Sequence, residues 1–593
     1  MLPTLKELLH WPPGQEPYTK QEEAHQASSG EKLFALFAEQ RTGKTIITLG
    51  TSAYQYRRFL DAGGFGGKKL EGEMRLGVRD LLPAKFLKGS PGKRPGTFLD
   101  PRIDDLPKKP TKPGFCYRPL HWATKGLDAL LVVALPSGVP ANWADEIAAR
   151  IPADMNPRVM VWNSRKADRA EFAREFAALL EHEGFAAFLI NGEAIPTDIA
   201  KKAVGTFLRC RRALTVGDET SLVCSQPGNV RSRVMEAIKG LPGALARRIL
   251  DGTPGDESPL DLFSQVGFLD YKILGFDSWI AFKKYYAEWE EKTVYVKGKE
   301  RKFTGMVEDE QGRKKFRNMD EMGRRLAPVS FRVRRKDVFD IPDKIRVPYH
   351  FELSQAQRDV YDPLREEFEA WLSDGLHVTA KHVLARMTRL DQVRGNWWPP
   401  TIVPTICAKC EGEGCDACHD VGAILAKTAK KIIDAKRNPL IEAAADVLSI
   451  NKEPGIAWCV FDETVESMMT LASSRGLNPL RYDGSVDDEQ KAANKRAFQA
   501  GHSGLLVGKE ASGGRGLNLS AASWMMYVEN GYSKRKRSQS EDRAEVAGRT
   551  FGTGIYDLIA DDTYDAEKLA AHFAKGEVSE NLWAAIAAAK EAA

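Results

Sequence analysis

Short apolar blocks recur along the first half of the chain. They are Leu33-Phe34-Ala35-Leu36-Phe37, Leu130-Leu131-Val132-Val133-Ala134-Leu135, Phe185-Ala186-Ala187-Phe188-Leu189-Ile190, Leu214-Thr215-Val216-Gly217 and Arg248-Ile249-Leu250-Asp251. Blocks this short, with almost no polar alternation, predict strands buried on both faces, and the stretches between them predict helices. Strands that alternate with helices imply a doubly wound parallel sheet, whose ligands bind beyond the carboxyl ends of the strands. Polar clusters stand at those ends: Pro136-Ser137, Asp218-Glu219-Thr220-Ser221 and Gly252-Thr253-Pro254. Gly455-Ile456-Ala457-Trp458-Cys459-Val460-Phe461, Leu480-Arg481-Tyr482, Gly504-Leu505-Leu506-Val507-Gly508 and Trp524-Met525-Met526-Tyr527-Val528 repeat the pattern. The expected fold class is therefore α/β, with two doubly wound parallel-sheet lobes.

The pattern is lost over residues 61–124, where Gly63-Gly64-Phe65-Gly66-Gly67-Lys68-Lys69 and Pro107-Lys108-Lys109-Pro110-Thr111-Lys112-Pro113 predict an insertion with little core of its own. Its lysines read as a solvated loop before they read as a nucleic-acid surface. The expected division is a first lobe over 1–270, a helical insertion and bridge over 271–345, and the start of a second lobe over 346–435. The second lobe proper comes next, over 436–570, with a helical tail over 571–593.

Composition adjusts this picture in two places. The balance of 86 basic and 81 acidic residues, +5, is too mild to define a partner, so any nucleic-acid surface must be local. Four of the eight cysteines fall in one short window, which points to metal and not to a disulfide framework. No apolar span reaches membrane length, and Met1-Leu2-Pro3-Thr4-Leu5-Lys6-Glu7 lacks the layout of a signal peptide. A cytoplasmic protein with no membrane partner is expected.

The candidate chemistry begins after the first apolar block, at Thr42-Gly43-Lys44-Thr45. Where a strand turns into a helix, backbone N–H groups and the helix N-terminus attract phosphates, Lys44 reaches the outer phosphates, and the Thr45 hydroxyl can ligate Mg²⁺. The full pattern has a glycine where Ala38 stands, and Gly-Lys-Thr is a common tripeptide, so a second group of residues must carry the weight. Asp218 and Glu219 do so: one carboxylate suits Mg²⁺, the other the attacking water. Gln21, upstream, either reads an adenine edge or is an exposed helix residue.

Cys407, Cys410, Cys415 and Cys418 form two Cys-x-x-Cys knuckles, a donor set for structural Zn²⁺, with an iron–sulfur cluster as the second option and His419 as a spare ligand. Trp397-Trp398 before them either stack on a base or pack the insertion onto its lobe. Lys534-Arg535-Lys536-Arg537 is either a phosphate contact or a solvated loop.

These motifs, in this order, resemble a Swi/Snf-type ATPase of helicase superfamily two. The likeness rests on Thr42 to Thr45, on Leu135-Pro136-Ser137 with Asn142-Trp143 and Glu146, on Asp218-Glu219-Thr220-Ser221, and on Asp251-Gly252-Thr253-Pro254. Arg334-Arg335-Lys336-Asp337 resembles the family's bridge between lobes. Beyond it stand Tyr482-Asp483-Gly484-Ser485, Ser512-Gly513-Gly514-Arg515-Gly516-Leu517-Asn518-Leu519, Gln539-Ser540-Glu541-Asp542-Arg543-Ala544 and Thr563-Tyr564-Asp565. The resemblance implies two RecA-like lobes with ATP and Mg²⁺ between them, double-stranded DNA as partner, and translocation without full strand separation. It implies nucleotide contacts from Gly514 and Gly516, and Arg543 facing the nucleotide from the second lobe. Two positions depart from the pattern. Ser221 stands for a histidine, and Val546 for the second arginine of Arg-x-x-Arg, leaving its role to Arg543 or Arg549. The expectation is a bacterial or phage enzyme of replication, recombination or repair, with proteins of those processes as possible partners. An ATP-switched DNA-binding or scaffold protein with weak hydrolysis is the alternative, and a strand-separating or RNA-directed helicase a third reading.

Overall fold

The computed structural model describes residues 2–66, 126–373, 380–406, 423–510 and 519–591, apart from 136–138, 168, 225–226, 256–257, 297–298, 310–313, 435–436 and 546–548. The chain forms two compact units, one of Met1–Glu288, Lys315–Asp340 and Lys575–Ala593, the other of Trp289–Lys314 and Ile341–Ala574.

The first unit is built on β1 (Leu33–Ala38), β2 (Ala129–Ala134), β3 (Arg158–Val161), β4 (Ala186–Asn191), β5 (Ala213–Asp218) and β6 (Ala244–Asp251). A hairpin of β7 (Trp289–Val296) and β8 (Lys299–Met306) belongs to the second unit, and β9 (Ser330–Val333) returns to the first. The seven strands of the first sheet lie in the order β3-β4-β2-β5-β6-β1-β9, all parallel. Every residue of β2 is buried, as a strand covered on both faces requires. Leu36, Leu130, Val132, Trp143, Leu189, Val216 and Leu250 share one core, each side chain contributing about 1.5–3 kcal/mol by leaving water. Two strands escape the apolar-block reading for a simple reason: β3 is largely exposed, and β9 carries Ser330 and Arg332.

Register places the site. In β1 and β6, Phe37 pairs with Asp251; in β5 and β6, Asp218 pairs with Leu250. Strands 1, 5 and 6 therefore end level, and their trailing loops emerge along one edge.

The second unit carries β10 (Ile345–Phe351), an antiparallel hairpin of β11 (Trp397–Ile406) and β12 (Ala423–Lys431), and then β13 (Gly455–Cys459), β14 (Leu480–Tyr482), β15 (Leu505–Lys509), β16 (Trp524–Tyr527) and β17 (Gly554–Ala560). Its six-stranded sheet runs β10-β17-β16-β13-β15-β14 and is also wholly parallel. Arg394 is buried beneath it, paired with Asp565 and donating to the carbonyls of Val528 (3.0 Å) and Leu558 (2.7 Å).

The four knuckle cysteines, Cys407, Cys410, Cys415 and Cys418, lie outside the described residues, in the connection from Ile406 to its pairing partner Ala423. Among the described residues no group of His, Cys, Asp and Glu is placed to hold a metal ion. No described helix is long and apolar enough to cross a membrane. The basic run is neither a loop nor a uniformly solvated surface. It opens the helix Lys534–Glu541, where Arg535 and Arg537 are buried and Arg537 grips both oxygens of Asp557 at 2.7 and 2.9 Å.

Candidate functional site

The phosphate loop leaves β1 at Glu39, whose N–H donates to the Val333 carbonyl at 2.9 Å and whose carboxylate accepts from the Arg335 N–H at 2.9 Å. The chain then turns: the Thr42 N–H reaches the Glu39 carbonyl at 3.3 Å and the Thr42 hydroxyl the same oxygen at 2.7 Å. Gly43 is the residue before helix Lys44–Asp61, with φ +96°, and a Cβ there would lie 2.2 Å from Gln21 Nε2. Both facts demand glycine. Gln21 is buried, not an exposed helix residue. Its amide accepts from the Tyr18 N–H (3.0 Å) and donates to the Thr42 carbonyl (3.1 Å), so it holds the loop that would hold the phosphates.

Lys44 and Thr45 are the first two residues of that helix. Lys44 Nζ lies 3.1 Å from Glu219 Oε1, with Asp218 and Asp251 close enough to act on its charge. Burial alone would lower the Lys44 ammonium; the three carboxylates outweigh it and hold its pKa above the ordinary value. Burial pushes the Asp218 carboxyl up to about 6, with Glu219 and Asp251 adding to the rise and Lys44 and a hydrogen bond from Trp143 opposing it. One lysine against three carboxylates leaves an excess of negative charge at the end of β5. Among the described residues no set of three protein donors is placed there to hold a metal ion by itself; Asp218 and Thr45, the second residue of the helix, are donor types for a Mg²⁺ that takes its remaining oxygens from water and phosphate.

Asp251 ties the loops together. Its carboxylate accepts from the N–H groups of Ser221 (2.6 Å) and Thr253 (3.0 Å). The Thr220 hydroxyl lies 3.2 Å from Gln265 Oε1. Ser221 is thus anchored through its backbone, which any residue supplies.

The first unit therefore brings together Gln21, Thr42, Gly43, Lys44, Thr45, Asp218 and Glu219. Arg543 belongs to the second unit, buried, with its carbonyl accepting from the Leu519 N–H at 3.1 Å. Gly514 and Gly516 lie outside the described residues. Arg549 is bound to backbone: its guanidinium donates to the carbonyls of Ala522 (2.7 Å), Ala544 (3.3 Å) and Ser520. One contact had no role in the sequence reading. Trp143 Nε1 donates to Asp218 Oδ2 at 3.0 Å, both side chains buried. An indole N–H is a donor only, so a buried tryptophan near an acidic strand end is the signal that points to it.

This make-up, at the carboxyl edge of a parallel sheet, has the strand-turn-helix layout and the charges of a phosphate-loop site. No protein-family model matches the chain. It is similar to the TATA-binding protein-associated factor mot1 of Aspergillus fumigatus, 23% identical over 351 residues that cover 54% of this chain and 18% of that protein. It is similar to the DNA annealing helicase and endonuclease ZRANB3 of Bos taurus, 22% identical over 439 residues, covering 73% of this chain and 34% of that one. The uncharacterized ATP-dependent helicase MG018 of Mycoplasma genitalium is 19% identical over 57% of this chain and 28% of its own length. The chain thus spans about a third or less of these relatives. Among solved structures, the Sulfolobus solfataricus SWI2/SNF2 ATPase core in complex with dsDNA aligns with 96% of this chain and 95% of that one, at 16% identity and a TM-score of 0.34.

Proposed function

We propose that the chain is an ATP hydrolase of the Swi/Snf type that acts on double-stranded DNA as a translocase or remodelling enzyme in replication, recombination or repair. The observation that carries the hydrolase is the set of Lys44, Asp218, Glu219 and Asp251 on level strand ends beside the phosphate loop. DNA as the partner is supported by the motif order in the sequence and by the similarity to a DNA annealing helicase.

In this reading the Lys44–Glu219 pair is the resting state. A triphosphate entering the loop draws Lys44 onto its outer phosphates and frees Glu219 to orient a water. The water oxygen bonds to the terminal phosphorus as the bond from that phosphorus to the bridging oxygen breaks. The electron pair leaves on ADP, and the water's proton passes to Glu219. Mg²⁺, which Thr45 and Asp218 would hold, supplies Lewis-acid neutralisation of the phosphate charge. Trp143 keeps the Asp218 carboxylate oriented, and Asp251 keeps the acidic loop in register. Arg543 is the second unit's candidate for the nucleotide, and the knuckle cysteines its candidate zinc ligands. Metal analysis of the purified protein tests the latter, and a preparation free of zinc and iron removes it.

The deciding experiment is the rate of ATP hydrolysis with and without duplex DNA. Duplex raises the rate of the native protein, and Lys44→Ala abolishes it; equal rates with and without duplex would sink the DNA-driven reading. An ATP-switched DNA-binding protein is the second reading, favoured by Val546 and by the engagement of Arg549 with carbonyls. Single-turnover hydrolysis separates the two, since a switch binds nucleotide yet forms little product with DNA present.

A further inference from the structure

Among the described residues, seven that are not glycine have positive φ: Arg41, Asn156, Glu219, Asn318, Asn396, Asn478 and Asp562. Asn and Asp visit this region readily because their short polar side chains bond locally. Arginine and glutamate do not. The two members of the set with no such excuse, Arg41 (φ 66°) and Glu219 (φ 52°), both lie at the phosphate site. Each holds a conformation that is strained for a residue with a Cβ, and strain of this kind persists where it serves a purpose.

For Glu219 the purpose is visible, since it meets Lys44 at 3.1 Å. Arg41 is the third residue of the Glu39–Thr42 turn, a position that takes glycine when φ is positive. It is exposed, while Thr42 beside it is fully buried, and it stands three residues before Lys44 in the loop itself. Glycine there would relieve the strain. The chain instead carries a long cation. Across the sequence the complementary loss appears: Val546 stands where a second arginine is expected, and Arg549, the nearest substitute, donates to the carbonyls of Ala522, Ala544 and Ser520.

We propose that Arg41 is a catalytic residue supplied by the phosphate loop itself, its guanidinium contacting the terminal phosphate of the bound nucleotide and stabilising the charge that develops as that phosphoryl group transfers to water. It supplies, from the first unit, a guanidinium of the kind that Val546 does not, beside whatever Arg543 contributes from the second. A planar guanidinium forks onto phosphate oxygens, which an ammonium does not reproduce, and a positioned arginine of this kind is worth about a thousandfold or more in rate. The inference rests on the ATPase reading above.

The test uses the full-length protein and its Arg41→Gly and Arg41→Lys variants. Measured are thermal midpoint, affinity for ADP, affinity for ADP with aluminium fluoride as transition-state mimic, hydrolysis with and without duplex, and duplex affinity. Expected for Arg41→Gly are an equal or higher midpoint and unchanged ADP affinity. Hydrolysis falls by about a thousandfold, and the advantage of ADP with aluminium fluoride over ADP alone is lost. Arg41→Lys recovers only part of either. Hydrolysis by Arg41→Gly within about threefold of the native rate overturns the proposal. So does a loss confined to duplex affinity, which would make Arg41 a DNA contact. If the native protein itself hydrolyses no ATP, the underlying reading has failed and the proposal falls with it, an outcome distinct from an active native protein that tolerates Arg41→Gly.

Discussion

Trp143 and Asp218 show how much chemistry one buried hydrogen bond carries. The indole lies under the end of β5 and gives Asp218 Oδ2 a donor at 3.0 Å, in surroundings that otherwise favour the protonated acid. Trp143→Phe keeps the apolar bulk and deletes the donor. Leaving a buried carboxylate oxygen unpaired costs about 1–3 kcal/mol, so hydrolysis is expected to fall roughly tenfold to a hundredfold with the fold retained. Steady-state rates beside circular dichroism check this, and an unchanged rate removes Trp143 from the machinery. Lys44 at the start of a helix and Asp218 and Glu219 at a strand end were legible in the sequence because strand, turn and helix each leave a local signature. Trp143 and Asp251 were legible only as members of a motif. Their partners are 75 and 30 residues away, and long-range pairing has no local period to read.

At the scale of elements, short apolar blocks announced the central strands, while the edge strands β3 and β10 were silent because their exposed positions interrupt any apolar block, and β9 because Ser330 and Arg332 interrupt it. What seats the elements is often a single polar side chain. Arg248 on β6 is buried and donates to the carbonyls of Ser28 (2.6 Å), Glu31 (2.7 Å) and Lys32 (3.2 Å), fixing the chain just before β1. His25 does the same for the N-terminal helix Leu5–Leu8: Nε2 meets the Pro3 carbonyl at 2.9 Å and Nδ1 meets Ser29 Oγ at 2.8 Å. Nε2 donates to the carbonyl, Ser29 Oγ can donate or accept, and burial lowers the ring's pKa against the opposing effects of the Pro3 carbonyl and Glu22. A histidine lowered on folding contributes stability that is full above its unfolded value, about 6.5, and is lost as pH falls from there through the folded value. His25→Gln keeps a donor for the Pro3 carbonyl and cannot titrate. Denaturant midpoints measured between about pH 7.5 and pH 5.5 are expected to drop less steeply for His25→Gln than for the native protein. Parallel curves would show that His25 titrates alike in both states.

At the scale of the molecule, the chain leaves and re-enters its first unit after Glu288, Lys314, Asp340 and Ala574. The last return is the least expected from sequence, since helix Asp565–Glu591 is assigned to the second unit at its start and to the first at its end. Leu582, Trp583 and Ile586 are buried there. The Trp583 ring meets Phe37 of β1 edge-on at 5.1 Å, the Arg332 guanidinium of β9 lies 4.5 Å over the same ring, and Lys590 Nζ donates to the Ser330 carbonyl. Phe37 lies two residues before Glu39, so this segment packs directly behind the strand end that carries the phosphate loop. Removing residues 575–593 from the protein would uncover the β1 and β9 edge. Three large side chains at about 1.5–3 kcal/mol each are lost, a large part of what holds a domain folded. Trp583→Ala alone is expected to cost about 3–5 kcal/mol. Both changes should lower the thermal midpoint and weaken ATP binding together, because the loop loses its footing rather than any group that touches phosphate. Restoring the ring with Trp583→Phe should recover most of the midpoint and the affinity in step. A deletion that leaves both unchanged would mean that β1 is held without the C-terminal segment, and a deletion that weakens ATP binding at an unchanged midpoint would mean that the segment acts on the nucleotide itself.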